Sequence, residues 1–315
     1  MQNIKLTIII PTYNVEKYII KALESIKNQN VDHKSFEVLI IDDASTDNSA
    51  KLINDWINVN DPNKLTYKYF YKKNGNWGSV INYAKNNNLI NGQYVSILDA
   101  DDFFDEKCFK EVYKIMDSNQ NYDLIFSNFY KAYDDSNKLK KVSVLFEIKS
   151  KEIKKPRACV PYQIPICKFY KTKLFLELDD LREGVFYQDQ ILFFSLVLKS
   201  EKIYFIKKHL GYYLDQRPGS STVAKWDENK INICCDNMNK LLSFNYRPIA
   251  GYVSIMANYY YHKAEKNIRQ LVKVERKYLI LLKKAKYSFL PIPLSWIAKL
   301  VFRITLIKII SNSSK

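Results

Sequence analysis

Glycine is scarce in this sequence, and the glycine-rich motifs that hold phosphate groups are missing. Only seven of the 315 residues are glycine, and neither GxGxxG nor GxxxxGK[ST] occurs. A nucleotide bound by this chain would therefore need another means of neutralising its phosphates, and a divalent metal held by carboxylates is the obvious one. The low glycine and proline content also excludes collagen-like and low-complexity architectures.

Paired cysteines and long apolar runs are absent too. The five cysteines form neither a CxxC pair nor a Cys/His zinc spacing, a pattern typical of reduced thiols in a cytoplasmic protein. The first residues read as a strand and lack the apolar core and cleavage site of a signal peptide. The longest charge-free stretch near the C-terminus, Tyr287–Ala298, has 12 residues and two prolines. A membrane-spanning helix needs ~20 apolar residues, so we expect no transmembrane segment.

The composition is that of a folded protein with an uneven positive charge. Hydrophobic residues make up 47% of the chain, which excludes a disordered polypeptide. The formal net charge is +16, but residues 263–315 alone carry 13 Lys or Arg and only two Glu. A nucleic-acid binder would spread its positive charge more evenly, so no nucleic-acid partner is predicted.

Short apolar runs alternate with helical patterns along the first part of the chain. This alternation predicts an α/β fold with a doubly wound, mostly parallel sheet and helices on both faces. We predict an α/β domain over residues 1–225 and a helical C-terminal region over 226–315, with a loop or hairpin at Tyr133–Lys155. The predicted strands are Leu6–Ile10, Phe36–Ile41, Leu65–Tyr71, Tyr94–Leu98, Leu124–Phe129 and Lys202–Ile206, and the predicted helices are Val15–Asn28, Ser49–Val59, Ser79–Asn87, Asp105–Met116 and Gln188–Leu198.

Polar clusters follow three of the predicted strands, at Thr12–Asn14, Asp42–Asp47 and Asp99–Asp102. Because ligands bind beyond the carboxyl ends of parallel strands, we expect the three clusters to meet at one edge of the sheet. The third cluster holds three carboxylates whose mutual repulsion a divalent cation such as Mg²⁺ or Mn²⁺ would relieve. The alternative is an acidic turn that caps the next helix, a role that we favour for Asp47.

In their order and spacing, these clusters resemble the family-2 inverting glycosyltransferases, which have a GT-A fold. The segments that carry the resemblance are Pro11-Thr12-Tyr13-Asn14, Val38 to Asp47 and Asp99-Ala100-Asp101-Asp102, and it covers residues 5–105 well and the rest in patches. It implies a nucleotide-sugar donor. The positions implied to contact the uridine or base are Pro11, Tyr13 and Asp43.

The same resemblance implies that Asp99 and Asp101 are the metal-binding DxD pair. Asp101 is the best candidate for direct contact with the metal, Asp99 for the ribose or the metal, and Asp102 is a neighbouring metal candidate. The cofactor implied is Mn²⁺ or Mg²⁺.

The stretch Lys73–Asn82 looks like the Asn-Gly-Gly…Arg-Asn element of the family. Trp77 and Ile81 depart from that element, which removes an arginine, whereas Asn82 keeps the asparagine and is a candidate for donor binding. A plain turn followed by a helix start explains the two glycines equally well.

Two later segments resemble the parts of the family that act on the acceptor and the diphosphate. Residues 184–194 resemble its Glu-Asp segment, with Gln188 in place of Glu, which makes Asp189 the candidate catalytic base that takes the proton of the acceptor hydroxyl. Residues 212–222 resemble its Tyr-Tyr…Arg…Ser-Ser element, in which Arg217 would contact diphosphate oxygens. The alternative for Asp189 is a carboxylate at a helix N-terminus with no part in the chemistry, and the alternative for Arg217 is an exposed loop arginine. The nearby His209 is expected to be a structural hydrogen-bonding residue.

The C-terminal residues combine basic and apolar faces. From Lys263 to Lys284 most basic residues fall on one arc of a helical wheel and apolar residues on another. This pattern predicts contact with an anionic membrane surface, and the alternative is packing on the α/β domain or on a second subunit.

Together these features predict a metal-dependent inverting glycosyltransferase. It would move a hexose-type sugar from a nucleotide sugar, a UDP-sugar by preference, to a glycan or lipid-linked glycan in cell-surface polysaccharide synthesis. The predicted location is the cytoplasm, with peripheral attachment at the inner face of the membrane. The sequence is compatible with an oligomer. Two alternatives stay open: a sugar-nucleotide nucleotidyltransferase, and a non-enzymatic basic module that binds membrane or nucleic acid.

Overall fold

The computed structural model describes residues 4–118, 120–133, 136–144, 149–153, 164–215, 217–221, 223 and 226–244. The chain divides into two compact units, Met1–Asn237 and Met238–Lys315. The second unit is described only up to residue 244, so the predicted helical C-terminal region and its basic tail stay predictions.

One half of the sheet is fully parallel. The elements of this half are β1 (Leu6–Thr12), α1 (Ile19–Lys27), β2 (Phe36–Asp42), α2 (Ser49–Asn60), β3 (Tyr67–Tyr71), α3 (Asn76–Asn86) and β4 (Tyr94–Ile97). Its strand order is β3-β2-β1-β4, in which β1 pairs in parallel with both β2 and β4, and β2 pairs in parallel with β3.

The other half of the sheet has strands that run in both directions. The elements are β5 (Phe103–Phe104), α4 (Cys108–Met116), β6 (Leu124–Tyr133), β7 (Ser136–Val142), β8 (Lys151–Ile153), β9 (Lys168–Lys171), α5 (Thr172–Leu176), α6 (Gln188–Lys199), β10 (Ile203–Asp215) and α7 (Glu228–Ser243). The strand β9 runs antiparallel between β4 and β6. The strand β10 is parallel to β6. Both β5 and β8 pair antiparallel with β10, and β7 pairs antiparallel with β6.

The predicted α/β fold is confirmed, with one difference in strand direction. The sheet is parallel only as far as β4, and the unpredicted β9 makes the rest mixed. Because β9 is antiparallel to both of its neighbours, β6 and β10 still run in the same direction as β4. The carboxyl ends of six strands, β1, β2, β3, β4, β6 and β10, therefore lie along one edge.

The parallel half forms because β1 and β2 are buried on both faces. Continuous apolar runs such as Leu6, Ile8–Ile10 and Val38–Ile41 have at most 2% of their surface exposed. In α1 the buried residues follow helical spacing, so this helix packs on the sheet through one face. It begins at Ile19 rather than at Val15, because the chain turns at Asn14, whose φ is +50°.

Among the described residues, none of the helices has the length and apolar character needed to cross a bilayer.

The turn before β4 offers a test of close packing. A Cβ at Gly92 would lie 2.4 Å from the backbone nitrogen of Thr7 and 2.7 Å from the carbonyl carbon of Leu6. We expect Gly92→Ala to destabilise the protein by about 1–3 kcal/mol, since backbone atoms of β1 cannot move aside. Thermal unfolding measures this as a fall in Tm.

A second glycine provides the control. A Cβ at Gly184 would have no atom within 4 Å, and this glycine has φ +71°. Gly184→Ala should therefore cost only the strain of the left-handed backbone, about 1 kcal/mol. If both variants lose the same stability, contact with β1 is not what requires glycine at position 92.

Candidate active site

The first two polar clusters meet directly at the carboxyl edge of the sheet. The backbone N–H of Asp43 donates to the carbonyl oxygen of Thr12 over 2.8 Å, and the N–H of Thr46 donates to the side-chain oxygen of Asn14 over 2.8 Å. The third cluster follows β4, the other neighbour of β1, where Leu98 N–H donates to Ile9 over 3.0 Å. The predicted meeting of the clusters at one edge is confirmed.

Asp43 is buried and held by the segment that leads into α3. Lys72 Nζ lies 2.7 Å from Oδ1 of Asp43, and the Gly75 N–H donates to the same oxygen over 3.0 Å, with Ser79 Oγ at 3.4 Å. Among the residues that the structure describes, the other oxygen, Oδ2, receives only a 3.2 Å bond from Gly75. The carboxylate is therefore fixed in orientation, and Oδ2 is the oxygen with capacity for a further hydrogen bond.

The other two positions predicted to contact the base lie on the same edge. Pro11 is partly buried near the end of β1, and the side chain of Tyr13 is 50% exposed. An exposed tyrosine ring can stack on a planar ligand. Contact with a base remains a prediction for all three residues.

Asp99 and Asp101 are each held through one oxygen. The indole Nε1–H of Trp77 donates to Oδ1 of Asp99 over 2.8 Å. The guanidinium of Arg217 pairs with Oδ2 of Asp101 through Nε and lies over the ring of Tyr18, with 5.2 Å from Cζ to the ring centroid. Arg217 therefore belongs to the acidic site and is mostly buried rather than an exposed loop residue, while its contact with a diphosphate stays a prediction.

Asp102 is almost fully buried, and only one of its oxygens is satisfied. The N–H of Leu214 in β10 donates to Oδ1 over 2.8 Å. Oδ2 is buried and has no hydrogen-bond partner among the residues that the structure describes. An unpaired buried carboxylate oxygen is costly, so this atom needs a proton or a cation.

Burial and mutual repulsion dominate the electrostatics of this cluster. Burial and the charges of Asp101 and Asp189 together raise the pKa of Asp99 to about 7, against the opposing Trp77 hydrogen bond and the positive charge of Arg217. Burial likewise raises the pKa of Asp102 well above its usual range. Four acidic side chains that repel one another at one edge favour a bound cation.

The carboxylate oxygens of this cluster suit a hard divalent cation. Only one or two of the carboxylates would bind it at once. In the described part of the chain, no three acidic, histidine or cysteine side chains converge as a ready-made metal cage. Mg²⁺ and Mn²⁺ are commonly held by one or two carboxylates together with substrate phosphates and water. Asp99, Asp101 and Asp102 therefore remain the predicted ligands, acting with a phosphate-bearing substrate rather than alone.

Asp189 lies in the first turn of α6, facing the acidic cluster. The residue before this helix, Tyr187, has the left-handed φ of +62°, which turns the chain into α6. Burial raises the pKa of Asp189 to about 6, while the Gln190 N–H and the positive charge of Lys168 oppose the rise. The effect of burial, which raises the pKa of Asp189, is therefore larger than the effect of the helix N-terminus, which lowers it.

Gln188, which stands where the resemblance leads one to expect Glu, points inward. Its oxygen accepts the N–H of Arg182 over 3.1 Å, and its Nε2 donates to Asn237 over 2.9 Å. Its role here is structural, which explains why an uncharged amide is tolerated.

The side chain of Asn82 is hydrogen-bonded to the backbone of the loop that contains Leu181. It is 4% exposed, its Nδ2 donates to the carbonyl of Leu181 over 2.9 Å, and its Oδ1 accepts the N–H of Leu181 over 2.8 Å. The structure gives Asn82 a clear anchoring role, and its contact with a donor stays a prediction.

Two further expectations concern His209 and Asp47. The ring of His209 packs on Tyr130 with 4.8 Å between centroids, and its buried Nε2 has no hydrogen-bond partner among the described residues. The expected structural hydrogen bond at that nitrogen is therefore not found there. The capping role of Asp47 is confirmed, because its carboxylate accepts the N–H of Ser49 over 2.9 Å at the start of α2.

Lys168 was missed by the sequence reasoning. It begins β9, is 2% exposed, and its ammonium donates to the carbonyl of Ile164. Burial lowers its pKa to about 8, against the acidic charges of Asp189, Asp99 and Asp102. An isolated lysine in a four-residue strand has no pattern that distinguishes it from a surface residue, so only the fold reveals this internal positive charge.

Comparison with known proteins identifies the family. The family model described as Glycosyl transferase family 2 matches residues 7–178, more than half of the chain. An uncharacterised glycosyltransferase of Mycoplasma genitalium is 37% identical over 296 residues, which is 92% of each protein. The chain belongs to glycosyltransferase family 2.

Solved structures show the fold of this family-2 glycosyltransferase. The Staphylococcus aureus poly(ribitol-phosphate) β-N-acetylglucosaminyltransferase TarS, residues 1–349 in complex with UDP-GlcNAc, superposes with a TM-score of 0.73 at 19% identity, over 89% of this chain and 82% of that chain. A mannosyltransferase of Pyrobaculum calidifontis in complex with GDP-Man and Mn²⁺ gives 0.56 at 15% identity, over 95% and 80%. The GT-A fold and the glycosyltransferase class of enzyme are thereby confirmed.

The family assignment decides between the broad alternatives. A nucleotidyltransferase and a non-enzymatic binding module are both set aside, since the enzyme is a glycosyltransferase. The match to the family model ends at residue 178, so it does not reach Asp189 or Arg217. The roles of these two residues rest on their motifs and on the geometry described above.

Asp99→Asn should stabilise the protein in the absence of divalent metal. The pKa of Asp99 is raised in the fold, so its stabilising contribution is complete below about pH 4 and is lost as the pH rises through about 7. A neutral amide avoids that loss. With EDTA present, we expect Tm to exceed that of the wild type by several degrees at pH 8, and by much less at pH 4.5.

Asp47→Asn should have the opposite sign. Burial raises the pKa of Asp47, but hydrogen bonds from Ser49 and Glu16 outweigh it and lower the net value. The charged form therefore stabilises the fold above about pH 4, and Asp47→Asn should lower Tm at pH 8. Equal shifts in both variants would show that burial of Asp99 is not the cause.

Proposed function

We propose that this enzyme transfers a sugar from a UDP-sugar to a hydroxyl group of a glycan or lipid-linked glycan, with inversion at the anomeric carbon and with Mn²⁺ or Mg²⁺. The observation that carries the proposal is the grouping of Asp99, Asp101 and Asp102 after β4 with Arg217 and with Asp189 on α6. This grouping would supply a cation site, a positive side chain and a base at one edge of the sheet.

The donor is proposed from the two ends of the site. Asp43 offers Oδ2 as an acceptor for the imide N–H of uracil, and the exposed ring of Tyr13 would stack on the base. The acidic cluster, with its metal, would hold the diphosphate. The UDP-GlcNAc in the TarS complex supports the choice of a UDP-sugar, and makes UDP-GlcNAc the first donor to assay.

The metal is proposed on the chemistry of the carboxylates. When bound, Mn²⁺ or Mg²⁺ would neutralise charge that develops on the diphosphate. Its ligands would be one or two of Asp99, Asp101 and Asp102, with the unsatisfied Oδ2 of Asp102 the oxygen that most needs a cation. Mn²⁺ in the complex of the Pyrobaculum enzyme supports this choice.

The transfer is proposed as a single displacement. The acceptor oxygen forms a bond to C1 of the sugar, the bond from C1 to the diphosphate oxygen breaks, and the electron pair leaves with the diphosphate. Asp189 takes the proton of the acceptor hydroxyl, and its pKa of about 6 leaves it ionised at neutral pH. The guanidinium of Arg217 has further N–H groups beyond the one that pairs with Asp101, and these would stabilise the leaving diphosphate.

The acceptor is proposed as a glycan or polyol-phosphate polymer of the cell surface, or its lipid-linked precursor. The support is the activity of TarS, a poly(ribitol-phosphate) β-N-acetylglucosaminyltransferase that is 25% identical over 228 residues, 68% of this chain and 36% of the relative. Residues 263–315 would bring the enzyme to the inner face of the membrane, where lipid-linked acceptors are found.

Asp189→Asn should lower kcat for sugar transfer by about 10²–10⁴-fold, the usual contribution of a general base. The amide keeps the shape of the side chain but accepts no proton, so UDP binding measured by calorimetry should stay within about threefold of the wild type. In the wild type, kcat/KM should rise with pH and level off above about 6.

The matched control is Asp180→Asn, which removes a carboxylate from an exposed loop residue that pairs with Lys85. This variant should keep full turnover. Unchanged turnover in Asp189→Asn would remove that residue as the base.

Asp101→Ala should weaken Mn²⁺-dependent binding of UDP. The substitution removes a metal ligand and leaves Arg217 without its partner, so we expect affinity to fall by at least tenfold in calorimetry with Mn²⁺, and to change little with EDTA. Equal affinity of both proteins in the presence of Mn²⁺ would exclude Asp101 as a ligand.

Removing residues 263–315 should abolish sedimentation with vesicles that contain anionic phospholipid, since each basic residue near such a surface contributes about 1 kcal/mol. Neutral vesicles serve as the control. A truncated protein that no longer folds would indicate that these residues pack on the protein instead.

A further inference from the structure

Trp77 departs from the family element that Lys73–Asn82 resembles, and its side chain reaches the acidic cluster. Its Nε1–H donates to Oδ1 of Asp99 over 2.8 Å, and no other donor in the described part of the chain contacts that carboxylate. An indole N–H can only donate, so the bond reserves Oδ1 as its acceptor and leaves Oδ2 for another partner. The bond therefore restricts the χ2 rotation of the Asp99 carboxylate, a torsion that is otherwise broadly distributed.

The backbone that carries Trp77 is itself held from both sides. The preceding residue, Asn76, has φ +64°, and Gly75 donates to Asp43 over 3.0 Å. On the other side, a Cβ at Gly78 would lie only 2.8 Å from the carbonyl oxygen of Arg182, so the first turn of α3 packs closely on that loop. The indole is therefore presented from a fixed position.

The same short segment contacts two acidic groups on different strands. Lys72 and Gly75 hold Asp43 at the end of β2, and Trp77 holds Asp99 at the end of β4. Residues 72–79 thus set the position of one carboxylate relative to the other, although β1 separates the two strands in the sheet.

We propose that Trp77 is a positioning residue, which acts through Asp99 to align this carboxylate for the ribose or metal of a nucleotide donor that Asp43 holds at its other end. The inference rests on the proposed function, because it assumes that a nucleoside diphosphate spans the two carboxylates. It adds a residue at which this chain departs from the family element that Lys73–Asn82 resembles.

The test compares Trp77→Phe with the wild type in calorimetry of UDP binding with Mn²⁺, and in the kcat and KM for the donor. Phenylalanine keeps an aromatic ring but loses the N–H. We expect the affinity for UDP with Mn²⁺ to fall about tenfold and the KM for the donor to rise by a similar factor, with kcat within threefold, since a hydrogen bond to a charged group is lost at a binding carboxylate.

Trp56→Phe is the matched control. The Nε1–H of Trp56 also donates to a carboxylate, Oε1 of Glu24, over 2.6 Å, but this pair joins α2 to α1. It should change Tm without changing UDP affinity. Trp77→His is the rescue variant, because imidazole Nε2 can occupy the place of indole Nε1, and it should restore affinity to within about threefold.

A double variant decides whether Trp77 acts through Asp99. In an Asp99→Asn background, Trp77→Phe should cause no further loss of affinity, because the aligned charge is already absent. The same tenfold loss in that background, or unchanged affinity in Trp77→Phe alone, would overturn the proposal while leaving the proposed function intact. A wild type that fails to bind UDP with Mn²⁺ would overturn both.

Discussion

The constraint on which the site depends is the cost of placing several carboxylates in a partly buried edge of a sheet. Like charges at short range and low polarity resist ionisation, as the raised pKa values of Asp99 and Asp189 show. The fold meets this cost with single donors from separate elements, namely Trp77 from α3, Leu214 from β10 and the Arg217 guanidinium. Each carboxylate is thereby held yet keeps one oxygen for a ligand.

A second form of compensation comes from beneath the site. Lys168 lies inside the protein on the antiparallel strand β9, where its positive charge acts on three of the acidic groups. An internal lysine next to a cation site is unfavourable unless carboxylates outnumber the positive charges. The departure from a fully parallel sheet therefore has an electrostatic role, because β9, which lies between β4 and β6, carries this residue and places its ammonium 5.4 Å from the ring centroid of Phe193 in α6.

The sequence was informative where local chemistry decides the structure. The continuous apolar runs of β1 and β2 predict buried parallel strands, and the polar clusters that follow them lie where the chain direction requires. Short elements without a pattern escaped prediction: β9 has four residues, and β5 has two. Roles that depend on distant contacts escaped as well. Nothing local shows that Asn82 anchors Leu181, that Trp77 reaches Asp99, or that Lys168 is internal.

The direction of β9 also governs where the chain can vary. Because β6 ends, and β9 begins, toward the carboxyl edge, the chain between them starts and finishes on that side of the sheet, and its described part adds β7 beside β6 and β8 beside β10. Connecting segments tolerate sequence change better than the strands that they join. Changes between residues 134 and 167 should therefore leave the order β3-β2-β1-β4-β9-β6-β10 intact.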